Sequence, residues 1–145
     1  MSRFMKLLLV AAVTAVFAVP VALAGSAHFV GSPTVSISGN SLTASGKVAG
    51  LGNIPQIHVT LTADVACVNP GQNKPSAGNK QTVGAGGNFP VQNGKADFSL
   101  TATATFQPSC SPPMTLEWTN VVIHVTAADG TDLTATFPGP FRTSG

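Results

Sequence analysis

The side chains able to do chemistry in this chain are few: His28, His58 and His124; Cys67 and Cys110; and the carboxylates Asp64, Asp97, Glu117, Asp129 and Asp132. Two cysteines form a disulfide in an oxidising compartment and serve as metal ligands or free thiols in a reducing one. A histidine that becomes the first residue of a processed chain offers both its α-amino group and its imidazole to one ion, a chelate that suits Cu(II). Nucleophilic catalysis has less to stand on. No serine lies in a Gly-x-Ser-x-Gly elbow, and a serine without a positioned base is inert. Gly50 to Gly52 and Gly84 to Gly87 lack the spacing and following helix of a phosphate loop, so both are expected to be turns. Asp64, Asp97 and Glu117 fall on the outward side of alternating segments, where a solvated face is the default. The expectation is a protein that is not an enzyme and has no resident cofactor, with copper at His28 as the alternative.

Which chemistry applies depends on the compartment. Arg3 and Lys6 precede an apolar run from Leu7 to Ala24 that closes on Ala22-Leu23-Ala24, the pattern of a secretory signal. A membrane-spanning helix needs about 20 apolar residues. Pro20 breaks such a helix just before the small-residue exit, and no second apolar run of that length follows. Residues 1–24 are therefore read as a cleaved signal helix. Cleavage after Ala27 is the other choice, because Gly25-Ser26-Ala27 is also small at both key positions, and it would leave His28 first. Residues 28–145 make one domain, since no linker or charge break divides them. Removal of Arg3 and Lys6 leaves Lys47, Lys74, Lys80, Lys95 and Arg142 against the same number of acids. A neutral mature chain has no electrostatic footprint for nucleic acid or anionic lipid. Secretion or cell-surface display is expected, as a monomer free of the membrane, with an extracellular or surface ligand. In that compartment Cys67 and Cys110 are expected to form a disulfide. Closing the 43-residue loop between them stabilises a fold by about 4 kcal/mol in the chain-entropy model.

The elements that must position these residues are strands. From Lys95 to Phe106, Ala96, Phe98, Leu100, Ala102, Ala104 and Phe106 alternate with Asp97, Ser99, Thr101, Thr103 and Thr105, a period of two. Gln56 to Cys67 repeats the pattern, with Ile57, Val59, Leu61, Ala63, Val65 and Cys67 inward. Thr34 to Ser38 and Ser41 to Val48 are joined at Gly39-Asn40, a hairpin signal. A short edge strand is expected near Gln81 to Ala85, and a last strand at Leu133 to Phe137. Thr115 to Ala127 changes phase between Trp118 and Val121, which an extra residue at Thr119-Asn120 would repair as a β-bulge. About seven strands with turn signals between them indicate an all-β chain, an immunoglobulin-like antiparallel β-sandwich. In that fold the third and sixth strands are antiparallel neighbours. Cys67 then ends the third and Cys110 precedes the sixth, so the strand order itself brings them together.

Two loops flank the bridge. Residues 69–80 read NPGQNKPSAGNK and residues 107–113 read QPSCSPP. Turn formers of this kind make ordinary surface connections. A bridge that pins both loops would also make one recognition surface of them, with Asn69, Gln72, Asn73, Lys74, Asn79, Lys80 and Gln107 as its candidate contacts. For a metal at His28 the partners would be His58 or His124. These face outward on neighbouring strands, two to five residues out of step, or about 7 to 16 Å at ~3.3 Å per residue. The segments His28-Phe29-Val30-Gly31-Ser32-Pro33-Thr34, Ser45 to Asn53 and Thr105 to Met114 resemble small secreted bacterial proteins of immunoglobulin-like fold without an assigned activity. The resemblance implies compartment and fold and carries over no functional residue. A structural protein of the cell surface or coat is a third reading.

Overall fold

Alternation in the sequence becomes alternation in burial. In the computed structural model, which describes residues 26–70 and 79–143, Ile57, Val59, Leu61, Ala63, Val65 and Cys67 are buried along one long strand while His58 and Thr62 are exposed. The expected signal segment, residues 1–24, lies outside the described residues. Nine strands are present among those described: β1 (His28–Phe29), β2 (Thr34–Ser38), β3 (Ser41–Ala49), β4 (Gln56–Val68), β5 (Lys80–Pro90), β6 (Ala96–Thr103), β7 (Thr115–Thr126), β8 (Asp132–Phe137) and β9 (Phe141–Arg142). No helix among the described residues is long and apolar enough to cross a membrane.

The strands form two antiparallel sheets. In one, β3 pairs with β6 on one side and with β1 and β2 on the other. The second has the order β5-β4-β7-β8, with β9 paired to the start of β7. Their apolar faces meet in one core, where Leu42, Val48 and Phe98 from the first sheet join Leu61, Trp118 and Ile123 from the second. The Phe98 ring receives Phe29 and Phe89 edge-on at 6.4 and 6.3 Å between centroids, the geometry that aromatic quadrupoles favour. Gly46 makes room for it: a Cβ there would lie 2.7 Å from Phe98 Cζ.

The phase change in β7 is a bulge, as the alternation predicts. Thr62 pairs with Val122 but Asp64 with Thr119, so β7 carries one residue more than β4 across this step. Asn120 takes the strained conformation, with φ of 50°, a left-handed angle that Asn tolerates better than most residues. The β2–β3 hairpin confines positive φ to Gly39, at 55°, as a type II′ turn requires of its first central residue.

Two expectations are corrected. The edge strand expected near Gln81 to Ala85 is not short: β5 runs eleven residues and holds one register with β4 from Ala66↔Lys80 to Gln56↔Pro90. Gly84 to Gly87 lie inside it rather than in a turn, and packing needs a glycine at Gly84 and Gly87. A Cβ on Gly84 would stand 2.9 Å from Leu61 O, and one on Gly87 would press on Phe89 and Leu100 at 3.3 to 3.4 Å. Gly50 and Gly52, with φ of 74° and 60°, are turn residues as expected. The other correction is at β6, which ends at Thr103 although Ala104 and Phe106 stay buried. Beyond Thr103 backbone pairing is reduced to Ala104 N–H on Asn40 O at 2.8 Å, and side chains add to it. Asn40 Nδ2 donates to Ala104 O at 3.0 Å. Gln81 clamps Thr105 from both ends, accepting from its N–H at 3.1 Å and donating to its carbonyl at 2.7 Å.

Candidate functional site

The solvent faces of the two sheets differ in kind. On β2-β3-β6 the outward positions form ranks of hydroxyls: Thr34, Ser45 and Ser99; Ser36, Thr43 and Thr101; Ser38, Ser41 and Thr103. Hydroxyls on β3 and β6 bond to each other, Ser41 to Thr103 at 3.0 Å, Thr43 to Thr101 at 2.8 Å and Ser45 to Ser99 at 3.2 Å. Such cross-strand pairs stabilise a sheet and leave less hydrogen-bonding capacity for a ligand.

The solvent face of β5-β4-β7-β8 carries the ionisable groups. Register places Asn88, His58, Thr126 and Asp132 in one rank and Gly86, Thr60, His124 and Thr134 in the next. At the opposite end stand Thr82, Asp64 and Thr119, then Lys80, Ala66, Glu117 and Arg142. A depression of about 780 Å³ opens at that end, between Lys80, Thr82, Asp64, Thr119 and Glu117, with Ala66 and Val68 in its apolar wall. Ala66, flanked by the longer Lys80 and Glu117, lowers the middle of its rank.

Both carboxylates of the depression are already engaged. Asp64 accepts from Thr82 Oγ1 at 2.7 Å and from Asn120 Nδ2 at 3.0 Å. These bonds, that of Asn120 foremost and then that of Thr82, hold the Asp64 carboxyl below its ordinary range against a small opposing effect of burial. Glu117 Oε2 receives both Nη2 and Nε of Arg142, at 2.7 and 2.8 Å. Among the described residues no carboxylate lies within ion-pair distance of Lys80. The arrangement offers one ammonium, the Thr119 hydroxyl, the lone pairs of Thr82 Oγ1 and an apolar wall, which can bind and orient a polar ligand. General-base work requires a carboxylate that can take a proton near neutral pH, and the bonds on Asp64 act in the opposite direction.

The disulfide joins Cys67, the next-to-last residue of β4, to Cys110, with Cα atoms 5.8 Å apart. Of the residues expected to form a recognition surface, Lys80 lines the depression, while Asn69 and Asn79 are exposed just beyond the ends of β4 and β5. Gln107 lines a separate hollow of about 150 Å³ with Asn40, Phe106 and Cys110. Gln72, Asn73 and Lys74 lie outside the described residues. The bridge thus gathers the bases of both loops, but Gln107 does not share the depression with Lys80.

The three histidines do not converge. His28 is on β1, in the other sheet, and its Nδ1 lies 3.0 Å from Ser26 O. His58 and His124 are two residues out of step, at the near end of the expected range. His58 Nδ1 is bonded to Asn88 at 2.8 Å and His124 Nε2 to Asp132 at 2.7 Å. No three His, Cys, Asp or Glu side chains among the described residues are grouped to hold a metal ion.

Asp64, Thr82, Thr119, Asn120 and Glu117 were not among the expected contacts. Their signal is present in the sequence as outward positions of alternating strands, but only register shows that they share one end of the sheet with Lys80. The chain matches no family model, no curated protein and no solved structure.

Proposed function

We propose that the mature chain is an exported binding protein without enzymatic activity, displayed at the cell surface or released, and of immunoglobulin-like architecture. The strand order supports that architecture, since β3 lies beside β6 in one sheet and β4 beside β7 in the other, as the second, fifth, third and sixth strands of such a sandwich do. A disulfide in the fold supports the exported reading. The observation that carries the binding reading is the depression at the disulfide end of β5-β4-β7, where Lys80, Thr82 and Thr119 face solvent beside two carboxylates held in fixed positions. Its ligand is an uncharged or anionic polar group, read by an ammonium and hydroxyls. Among the described residues no aromatic is exposed to stack on a sugar ring, Val30 being the exposed large hydrophobic.

The test is retention of mature protein on a panel of immobilised cell-surface polysaccharides and peptides, with wild type, Lys80→Ala and Thr119→Arg compared. Retention lost in both variants, with no product released, supports the reading. Retention unchanged by Thr119→Arg, which fills the depression, refutes the site, and turnover of any substrate refutes the non-enzymatic assignment.

A further inference from the structure

Strand β5 is a long sheet edge whose usual defences stand only at its two ends, Lys80 and Pro90. It is eleven residues long, its register with β4 has no bulge, and between Lys80 and Pro90 it contains no charge and no proline. The other edges are protected. β8 has six residues, opens on Asp132 and is followed by Pro138, β2 has five, and β6 carries Asp97 paired with Lys47 at 3.7 Å. Short strands, prolines and charges are how sheets avoid pairing with another chain. Among the described residues nothing pairs with the far side of β5.

The phase of the free edge follows from one hydrogen bond. Val91 N–H donates to Pro55 O at 3.0 Å, and the ladder continues from there without a shift. Alternation then turns the N–H and C=O of Gln81, Val83, Ala85, Gly87 and Phe89 toward β4, and those of Thr82, Gly84, Gly86 and Asn88 outward. Gly86 has no explanation inside the fold. Its φ is not positive, and a Cβ would meet only ordinary contacts, the nearest at 3.7 Å. Without side chains at Gly84 and Gly86, the solvent face of the edge places nothing in the way of a strand pairing there.

We infer that β5 pairs with the β5 of a second copy of this chain, antiparallel about a two-fold axis at Ala85. This goes beyond the binding reading and stands without it. The outward residues are self-complementary in that register. Gly84 faces the partner's Gly86 and Thr82 faces the partner's Asn88, each as a hydrogen-bonded pair, so every outward N–H and C=O from Thr82 to Asn88 is satisfied. No like charges meet, and the neutral mature chain does not repel its copy. Val83, Phe89 and Leu100, half-buried at the open flank of the sandwich, are the apolar surface that the contact covers. The product is a continuous sheet of eight strands with a depression on each half of one face.

Sedimentation velocity of the full mature chain tests it, together with two variants. Wild type sediments as a concentration-dependent dimer. Gly86→Pro, which removes an outward N–H and leaves the bonds to β4 intact, weakens dimerisation by roughly tenfold or more, since two donors are lost per dimer. Ala85→Cys forms a covalent dimer through residue 85, because residues facing each other across a non-hydrogen-bonded pair have Cα atoms about 4.5 Å apart, within disulfide reach. Mass spectrometry locates the bridge and distinguishes it from exchange with Cys67–Cys110. A wild type that stays monomeric overturns the inference, as does assembly that Gly86→Pro leaves unchanged. Should Gly86→Pro fail to fold, the absence of a bridge between the introduced cysteines overturns it alone.

Discussion

Replacing Asn120 by Ala and by Gly separates two contributions that meet at the β7 bulge. Asn120 holds φ at 50° and donates to Asp64 Oδ2 at 3.0 Å. Ala loses the hydrogen bond and must still take the left-handed conformation, which costs an L-residue roughly 1 to 2 kcal/mol. Gly loses the same bond and takes the conformation freely. A bond to a charged acceptor contributes about 1.5 kcal/mol at the lower end of its range, and partial exposure brings that toward ~1 kcal/mol. Asn120→Gly should therefore destabilise by about 1 kcal/mol and Asn120→Ala by about 2 to 3 kcal/mol. pH tells the two contributions apart. The folded Asp64 carboxyl titrates below its ordinary 3.8, so its bonds stabilise the fold above the unfolded carboxyl's range, near 3.9. That stabilisation is lost as pH falls through the lower folded value. The deficit of Asn120→Gly should shrink below about pH 4, while the gap between Ala and Gly persists, because backbone strain does not titrate. Urea unfolding followed by Trp118 fluorescence at pH 7, 4 and 3 measures both. Equal losses for Ala and Gly, or a Gly deficit that is flat with pH, would refute the division.

Further outcomes follow from other positions. Cys67→Ala with Cys110→Ala should cost about 4 kcal/mol for the loop closed, or a Tm lower by roughly 16 °C in a domain of this size, and calorimetry of the wild type with reductant should match it. Gln81→Glu keeps an acceptor for Thr105 N–H but cannot donate to Thr105 O; a loss of about 1 kcal/mol is expected in urea titration, with faster amide exchange at Thr105. Gly46→Ala places a methyl 2.7 Å from Phe98 Cζ; about 1 to 3 kcal/mol of destabilisation is expected from displacing the ring, read by thermal melting and near-UV dichroism.

Periodicity made the central strands legible because each buries one face. The odd-numbered residues from Ile57 to Cys67 lie inside with no exception, and the phase change between Trp118 and Val121 located the bulge to within one residue. β5 was legible only in part, because Gly84, Gly86 and Gly87 weigh against a strand on local propensity, while packing against Leu61, Phe89 and Leu100 fixes Gly84 and Gly87 there. The depression was hidden for a different reason. Lys80, Asp64, Thr119 and Glu117 are spread over β5, β4 and β7, and only register shows that they meet. Loop composition singled out Lys80 and Gln107 alike, yet they line different hollows, since composition carries no direction.

The cross-links of the fold gather at one end. The Cys67–Cys110 bridge, the Asn120 and Thr82 bonds to Asp64, the Gln81 clamp on Thr105, the Arg142–Glu117 pair and the Leu116–Thr143 bonds all lie at the end of the sandwich that holds the depression. At the other end the side-chain ties are single contacts between exposed groups, such as His58 with Asn88 and Lys47 with Asp97. Stability alone does not require this asymmetry, because the entropy an unfolded chain loses on cross-linking is set by the length of the loop closed and not by the end of the fold at which it closes. A surface already fixed in place loses less conformational freedom when a ligand arrives, so the same contacts bind more tightly. The hydroxyl ranks on β3 and β6 complete the contrast, because their bonds are spent on each other. Among the described residues rigidity and unspent donors coincide around Lys80 and Thr119, and that coincidence favours a ligand there over a purely structural use of the polar side chains.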